Sequence, residues 1–269
     1  FTQWAGLKEY ASSKGVKLFG DMPIYVCRDS ADLWSAPQLF QVSGKNAKPS
    51  SVAGVPPDYF SEDGQLWGNP LYNWAAMKKD GFSWWKQRIE ASFKLYDILR
   101  IDHFRAFASY WAVPAKAESA KEGGWKKGPG MELFKAIGKP KGEIIAEDLG
   151  EFGEDVVALL EETGFPGMRV IQFGLDPDED STHSPHNYEK NTVAYVGTHD
   201  NNTLLGWLWD ATPRVREYAL SYCGASLYGW EQGGREAPAC HKIIETVWRS
   251  ASETAVIAFQ DMCGFGADT

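Results

Sequence analysis

Ile98-Leu99-Arg100-Ile101-Asp102-His103-Phe104-Arg105 is a short apolar run that ends in charge. Two further stretches share the pattern, Glu143-Ile144-Ile145-Ala146-Glu147-Asp148-Leu149-Gly150 and Val193-Ala194-Tyr195-Val196-Gly197-Thr198-His199-Asp200-Asn201. Runs of this kind read as strands buried on both faces, as in a parallel sheet. Such strands are expected to close on turn residues. A carboxylate there needs a use, and in a β/α barrel the C-terminal ends of the strands are where reacting groups stand. Asp102, Glu147 and Asp200 all occupy that place, and Asp21, in Gly20-Asp21-Met22-Pro23, has it on an earlier strand. Two carboxylates and a third beside them are the inventory for cleaving a glycosidic bond.

Outward from these segments, strands alternate with helices. The apolar patterning predicts strands at 16–19, 98–102, 143–147, 168–173, 193–198 and 254–259. Helices are predicted at 3–13, 84–96, 131–137, 155–163, 213–224 and 237–250. Alternation of this kind predicts an α/β chain, a TIM (β/α)8 barrel with loop insertions, of which about six strands are present. Residues 28–75 show no periodicity and read as an inserted loop-rich subdomain, its aromatic content favouring function over disorder. No internal repeat and no linker divides residues 1–269.

Composition narrows the partners. The net charge is −9 over 269 residues, which argues against nucleic acid and anionic membranes and suits a neutral substrate. No apolar stretch approaches the roughly 20 residues that span a bilayer, and the first residues do not resemble a signal peptide. The four cysteines form no CxxC pair. They read as free thiols in a reducing compartment, so a cytoplasmic location is expected. No metal or cofactor is expected. There is no HExxH, and Asp176-Pro177-Asp178-Glu179-Asp180 lacks the glycine and glutamate of a calcium loop. Phosphate-cradling glycine patterns and a GxSxG elbow are absent as well. Aromatic residues reach 14%, with 12 Trp. Several Trp lie in Gly/Pro/Asn-rich segments, where their faces suit the apolar side of a pyranose, and core packing is the competing use.

Each acidic motif has two uses. Arg100 and Asp102 are two apart on a strand and share a face. The pair serves either as a nucleophile held ionised or as a structural ion pair. Glu147 is either a general acid whose proton is kept by burial and neighbouring charge, or a cap for the next helix. Thr198-His199-Asp200-Asn201 either grips vicinal hydroxyls or makes a turn.

Six ordered motifs carry a resemblance over nearly the whole chain. They are Gly20-Asp21-Met22-Pro23-Ile24-Tyr25-Val26, Gly54-Val55-Pro56-Pro57-Asp58-Tyr59-Phe60, Gly64-Gln65-Leu66-Trp67-Gly68-Asn69-Pro70, Arg100-Ile101-Asp102-His103-Phe104-Arg105, Ala146-Glu147-Asp148-Leu149-Gly150 and Gly197-Thr198-His199-Asp200-Asn201. Together they resemble the 4-α-glucanotransferase family, also called amylomaltase or disproportionating enzyme. The resemblance implies a TIM-barrel domain that transfers α-1,4-glucan segments by retaining double displacement. The implied partners are maltooligosaccharides and starch- or glycogen-type glucans. It implies Asp102 as nucleophile, Glu147 as general acid/base and Asp200 as transition-state stabiliser. Arg100, His199 and Asp21 resemble further residues of the cleavage subsite. Asp58, Tyr59, Phe60, Gln65 and Trp67 resemble the acceptor-side loop. Retention sets the two reacting carboxyls about 5–5.5 Å apart. The family's barrel begins upstream of Phe1 and runs on past Thr269, so the chain is expected to be a partial barrel. Two alternatives stand beside this reading: a retaining α-amylase-type hydrolase, and a non-catalytic glucan-binding piece.

Overall fold

The computed structural model describes residues 1–57, 61–150 and 153–267. The chain forms two compact units, Phe1–Phe165 and Pro166–Thr269.

The first unit carries β1 (Phe19–Met22), β2 (Val42–Ser43), β3 (Lys48–Pro49), β4 (Ser51–Val55), β5 (Gln65–Pro70), β6 (Ile98–Ile101), β7 (Ser109–Pro114), β8 (Gly124–Lys127) and β9 (Glu143–Ala146). Three of these form a parallel sheet in the order β1-β6-β9. Period-two alternation divides the middle strand. Leu99 and Ile101 turn to a fully buried apolar face with Met22, Ile144 and Ala146. Arg100 turns to the other face, level with Asp21 on β1 and Ile145 on β9. The helix Ser83–Leu95 covers the apolar side through Trp85 and Ile89. Trp85 is wholly buried among Tyr72, Trp74, Trp84 and Phe107. Beyond β6, Phe104 and Phe107 pack on Phe134 of the helix Met131–Ile137, with ring centroids 5.5 and 5.3 Å apart. This aromatic core anchors the turn that follows Asp102.

The second sheet is antiparallel, in the order β5-β4-β7-β8. Residues 28–75, read above as aperiodic, therefore supply two of its strands, as well as the β2–β3 pair and a short helix, Ala31–Ser35. Their partners β7 and β8 fall between the strand predicted at 98–102 and the helix predicted at 131–137, where the apolar patterning predicts no element. Sequence pattern misses the sheet because its strands are short, the β4–β5 register shifts between Val52 and Gly54, and β4 pairs with the distant β7. Gly54 is where strands approach closely: a Cβ there would lie 2.5 Å from the Gln65 carbonyl oxygen.

The second unit has a parallel sheet β10-β11-β12, formed by β10 (Gly167–Val170), β11 (Thr192–Tyr195) and β12 (Thr254–Val256). All four residues of β11 are buried. Its core joins Ile171, Leu204, Leu208, Ile243 and Val247. The described residues thus hold six parallel strands, three in each unit.

Several boundaries differ from expectation. The first strand is displaced to 19–22, which brings Asp21 inside it. The run at 168–173 ends as a strand at Val170 and turns into the helix Ile171–Gly174, since a short apolar run suits either state. The helix Leu204–Asp210, capped by the Thr203 hydroxyl, was not foreseen. All four cysteines are free thiols. Among the described residues no helix is long and apolar enough to cross a membrane.

Candidate active site

Asp102 and Glu147 are the residues just past the ends of two neighbouring parallel strands. Ile101 of β6 is level with Ala146 of β9. The ladder continues one step, with the Glu147 N–H donating to the Ile101 carbonyl at 3.0 Å and the Asp102 N–H to the Met22 carbonyl at 3.0 Å. Both carboxylates therefore emerge at one end of the sheet, on strands about 4.8 Å apart.

Arg100 organises the first of them. Its guanidinium is buried, 6% exposed. One terminal nitrogen reaches both oxygens of Asp21, at 2.8 and 2.7 Å. The other lies 2.9 Å from an oxygen of Asp102. Burial opposes the charge on Arg100, but Asp21 and Asp102 outweigh it, and its pKa stands above the ordinary value. The two carboxylates are half-exposed. Asp102 thus has an oriented carboxylate, paired with a guanidinium it shares with Asp21, that still faces solvent, as a nucleophile requires.

Glu147 is treated differently. It is 8% exposed, and each oxygen accepts a backbone N–H: Oε2 from His103 at 2.6 Å and Oε1 from Leu149 at 2.7 Å. Burial, then the negative charge of Asp102, raises its pKa from 4.5 to about 7, against the opposing pull of the two N–H groups and Arg100. Neighbouring carboxyls with divergent environments are the mark of an acid/nucleophile division. The helix-capping alternative does not hold, because the next helix starts at Glu154 with Gly153 as its cap.

An indole meets the turn that follows Asp102. Trp67, on β5, is 37% exposed and meets the His103 ring edge-on, with centroids 4.8 Å apart. Its indole N–H donates to Gln65 Oε1 at 3.0 Å. The loop after β1 is tied down by the Tyr72 hydroxyl, which donates to the Ile24 carbonyl at 2.5 Å. Arg88 donates to the carbonyls of Pro23 and Ile24. The aromatic excess of the sequence is thus divided. Tyr72, Phe40 and Trp85 are core, while Trp67 and Trp125 stay part-exposed, Trp125 beneath the Arg105 guanidinium.

In the second unit, His199 and Asp200 follow β11 in a turn. Asn201 Oδ1 accepts from the Thr198 N–H and hydroxyl, both at 2.9 Å. The Asp200 N–H donates to the Thr198 hydroxyl at 3.2 Å. His199 Nε2 lies 3.6 Å from Asp200 Oδ2, and both side chains are exposed. Turn chemistry and polar display are therefore both present here. Asp58, Tyr59 and Phe60 lie outside the described residues. No group of three or more His, Cys, Asp or Glu among the described residues could hold a metal ion.

Residues 1–269 match the family model for 4-alpha-glucanotransferase. The chain belongs to the 4-alpha-glucanotransferase family. It is 48% identical over 268 residues to the 4-alpha-glucanotransferase of Streptococcus pneumoniae, which covers 97% of this chain and 51% of that protein. It is 46% identical over 269 residues to the chloroplastic/amyloplastic 4-alpha-glucanotransferase of Solanum tuberosum, covering 99% and 45%. The amylomaltase from Streptococcus agalactiae, solved in complex with acarbose, matches with a TM-score of 0.92 and 42% identity over 99% of this chain and 53% of that one. The fold is accordingly of the amylomaltase, TIM-barrel type, and the chain spans about half the length of the relatives it matches.

Against this 4-alpha-glucanotransferase background, sequence reasoning brought Asp21, Arg100, Asp102 and Glu147 to one sheet end, and Gln65 to Trp67. It gave no role to His103, which touches both Glu147 and Trp67. Its place between Asp102 and Phe104 was the available signal, but its backbone conformation is not written in the side chain.

Proposed function

We propose that this chain carries the cleavage machinery of a 4-α-glucanotransferase acting on α-1,4-linked maltooligosaccharides and starch- or glycogen-type glucans. One observation carries the reading. Adjacent parallel strands present an Arg-paired, half-exposed Asp102 and a buried, proton-retaining Glu147. In the first step the Asp102 carboxylate attacks the anomeric carbon. Glu147 gives its proton to the departing glycosidic oxygen, and the reducing-end piece leaves. In the second step Glu147 takes the proton from a 4-hydroxyl of an acceptor glucan. That oxygen displaces Asp102, and the configuration is retained. Asp200 is assigned the stabilisation of the oxocarbenium-like state through sugar hydroxyls, with His199 alongside. Arg100 and Asp21 hold the nucleophile side.

Transfer wins over hydrolysis when acceptor sugar, not water, occupies the second step. Trp67 and Gln65 are assigned to that acceptor side, with Asp58, Tyr59 and Phe60. The six parallel strands are read as staves of a (β/α)8 barrel, supported by the amylomaltase likeness. Free thiols support work in the cytoplasm.

Incubation of the full-length protein with maltotriose tests the reading. Glucose together with oligomers longer than maltotriose is expected, and both vanish in Glu147→Gln. Formation of shorter sugars alone would mean hydrolysis and overturn the proposal.

A further inference from the structure

His103 has a backbone conformation that few residues accept. Its φ of 52° and ψ of 47° lie in the left-handed region, where non-glycine residues are uncommon and His, Asn and Asp are the better tolerated. Such a residue persists when its surroundings fix it, and these residues gather at functional sites. Here the surroundings are visible. The His103 N–H donates to Glu147 Oε2 at 2.6 Å, and the next N–H, of Phe104, donates to the Glu147 carbonyl at 3.1 Å. Two successive N–H groups of one turn thus hold one residue, the first by its carboxylate and the second by its backbone carbonyl. The imidazole leaves in another direction and meets Trp67 edge-on at 4.8 Å. The ring itself is neutral, because burial and then the charge of Arg105 lower its pKa to about 3. It therefore acts on Trp67 by packing and on Glu147 only through the backbone.

We infer that His103 is a positioning residue with two outputs: its left-handed backbone sets the Glu147 carboxyl, and its ring sets the Trp67 indole. The strand that presents Trp67 and the carboxyl that moves the proton are then linked through one residue. This rests on Glu147 being the acid/base. The charged groups acting on Glu147 are Asp102 and Arg100, and neither is altered by changing His103.

The test compares three variants of the full-length enzyme in maltotriose disproportionation over a range of pH. Glycine accepts the left-handed region freely, asparagine tolerates it, and β-branched valine resists it. His103→Gly and His103→Asn are expected to keep the high-pH limb of kcat/KM at the parent's pH. They should lose about threefold in kcat/KM, mainly through KM, from the missing ring contact with Trp67. His103→Val is expected to lose about a hundredfold in kcat through misplacement of the carboxyl. Its high-pH limb should move upward, because a lost N–H donor no longer favours the ionised form of Glu147. If His103→Gly falls as far as His103→Val, the backbone is not the agent and the inference fails. If His103→Val keeps the parent's kcat and limb, it fails as well. Should valine prevent folding, the glycine and asparagine arms still decide, since a displaced limb in either contradicts the inference. A parent enzyme with no transfer activity would instead overturn the reading of Glu147 itself.

Discussion

Glu147 is the proposed acid/base, and its environment makes a prediction about stability as well as rate. The folded protein holds this proton up to about pH 7, whereas an ordinary glutamate releases it near 4.5. A raised carboxyl pKa in the folded state means that stability is fully present below 4.5 and is lost as the pH rises through about 7. A shift of this size corresponds to about 3 kcal/mol. Glu147→Gln removes the titration. One backbone N–H then faces an amide NH2 in place of an oxygen, which lowers stability by a pH-independent amount. Relative to the parent, the glutamine variant should gain about 2–3 kcal/mol between about pH 4 and about pH 8. Urea unfolding at a series of pH values checks this, and a parallel pH dependence in the two proteins would refute it. Activity is expected to follow the same proton: the proposed general acid must be protonated, so the rate should fall above about pH 7.

At the scale of the element, strand pairing places the Trp67 indole. β5 reaches Trp67 only by lying close against β4, and Gly54 permits the approach. Gly54→Ala puts a methyl 2.5 Å from the Gln65 carbonyl oxygen, which is backbone and cannot rotate away. The pair must spread, costing about 1–3 kcal/mol. Because Gln65 and Trp67 move together, KM for maltotriose should rise several-fold while kcat changes less. Thermal melting with steady-state kinetics measures both, and an unchanged KM would separate β5 from substrate binding. The same elements show what sequence encodes. β6, β9 and β11 were legible because strands buried on both faces are written as continuous apolar runs, and the acids closing them stand out. The β5-β4-β7-β8 sheet was not. Its strands are short, one pairing is shifted in register, and the partners lie far apart in the chain. The left-handed turn at His103 was hidden as well, because the contact that fixes it comes from Glu147, 44 residues further along the chain.

At the scale of the molecule, each unit builds its own three-stranded parallel sheet and sets polar side chains in or after some of its strands. In the first unit these are Asp21, Asp102 and Glu147, held by Arg100 and by backbone donors. In the second they are His199 and Asp200, held by the Thr198–Asn201 turn. The proposed division of labour between Asp102 and Glu147 is the central claim. A glycosyl fluoride tests it most directly. Fluoride departs without a proton, so Glu147→Gln in the full-length enzyme should still let Asp102 attack α-maltotriosyl fluoride. Lacking the base, that variant should not pass the sugar on. Peptide mass spectrometry of the quenched reaction is predicted to find a maltotriosyl ester on Asp102. An ester on another carboxylate, or burst-free turnover with no covalent species, would contradict the account.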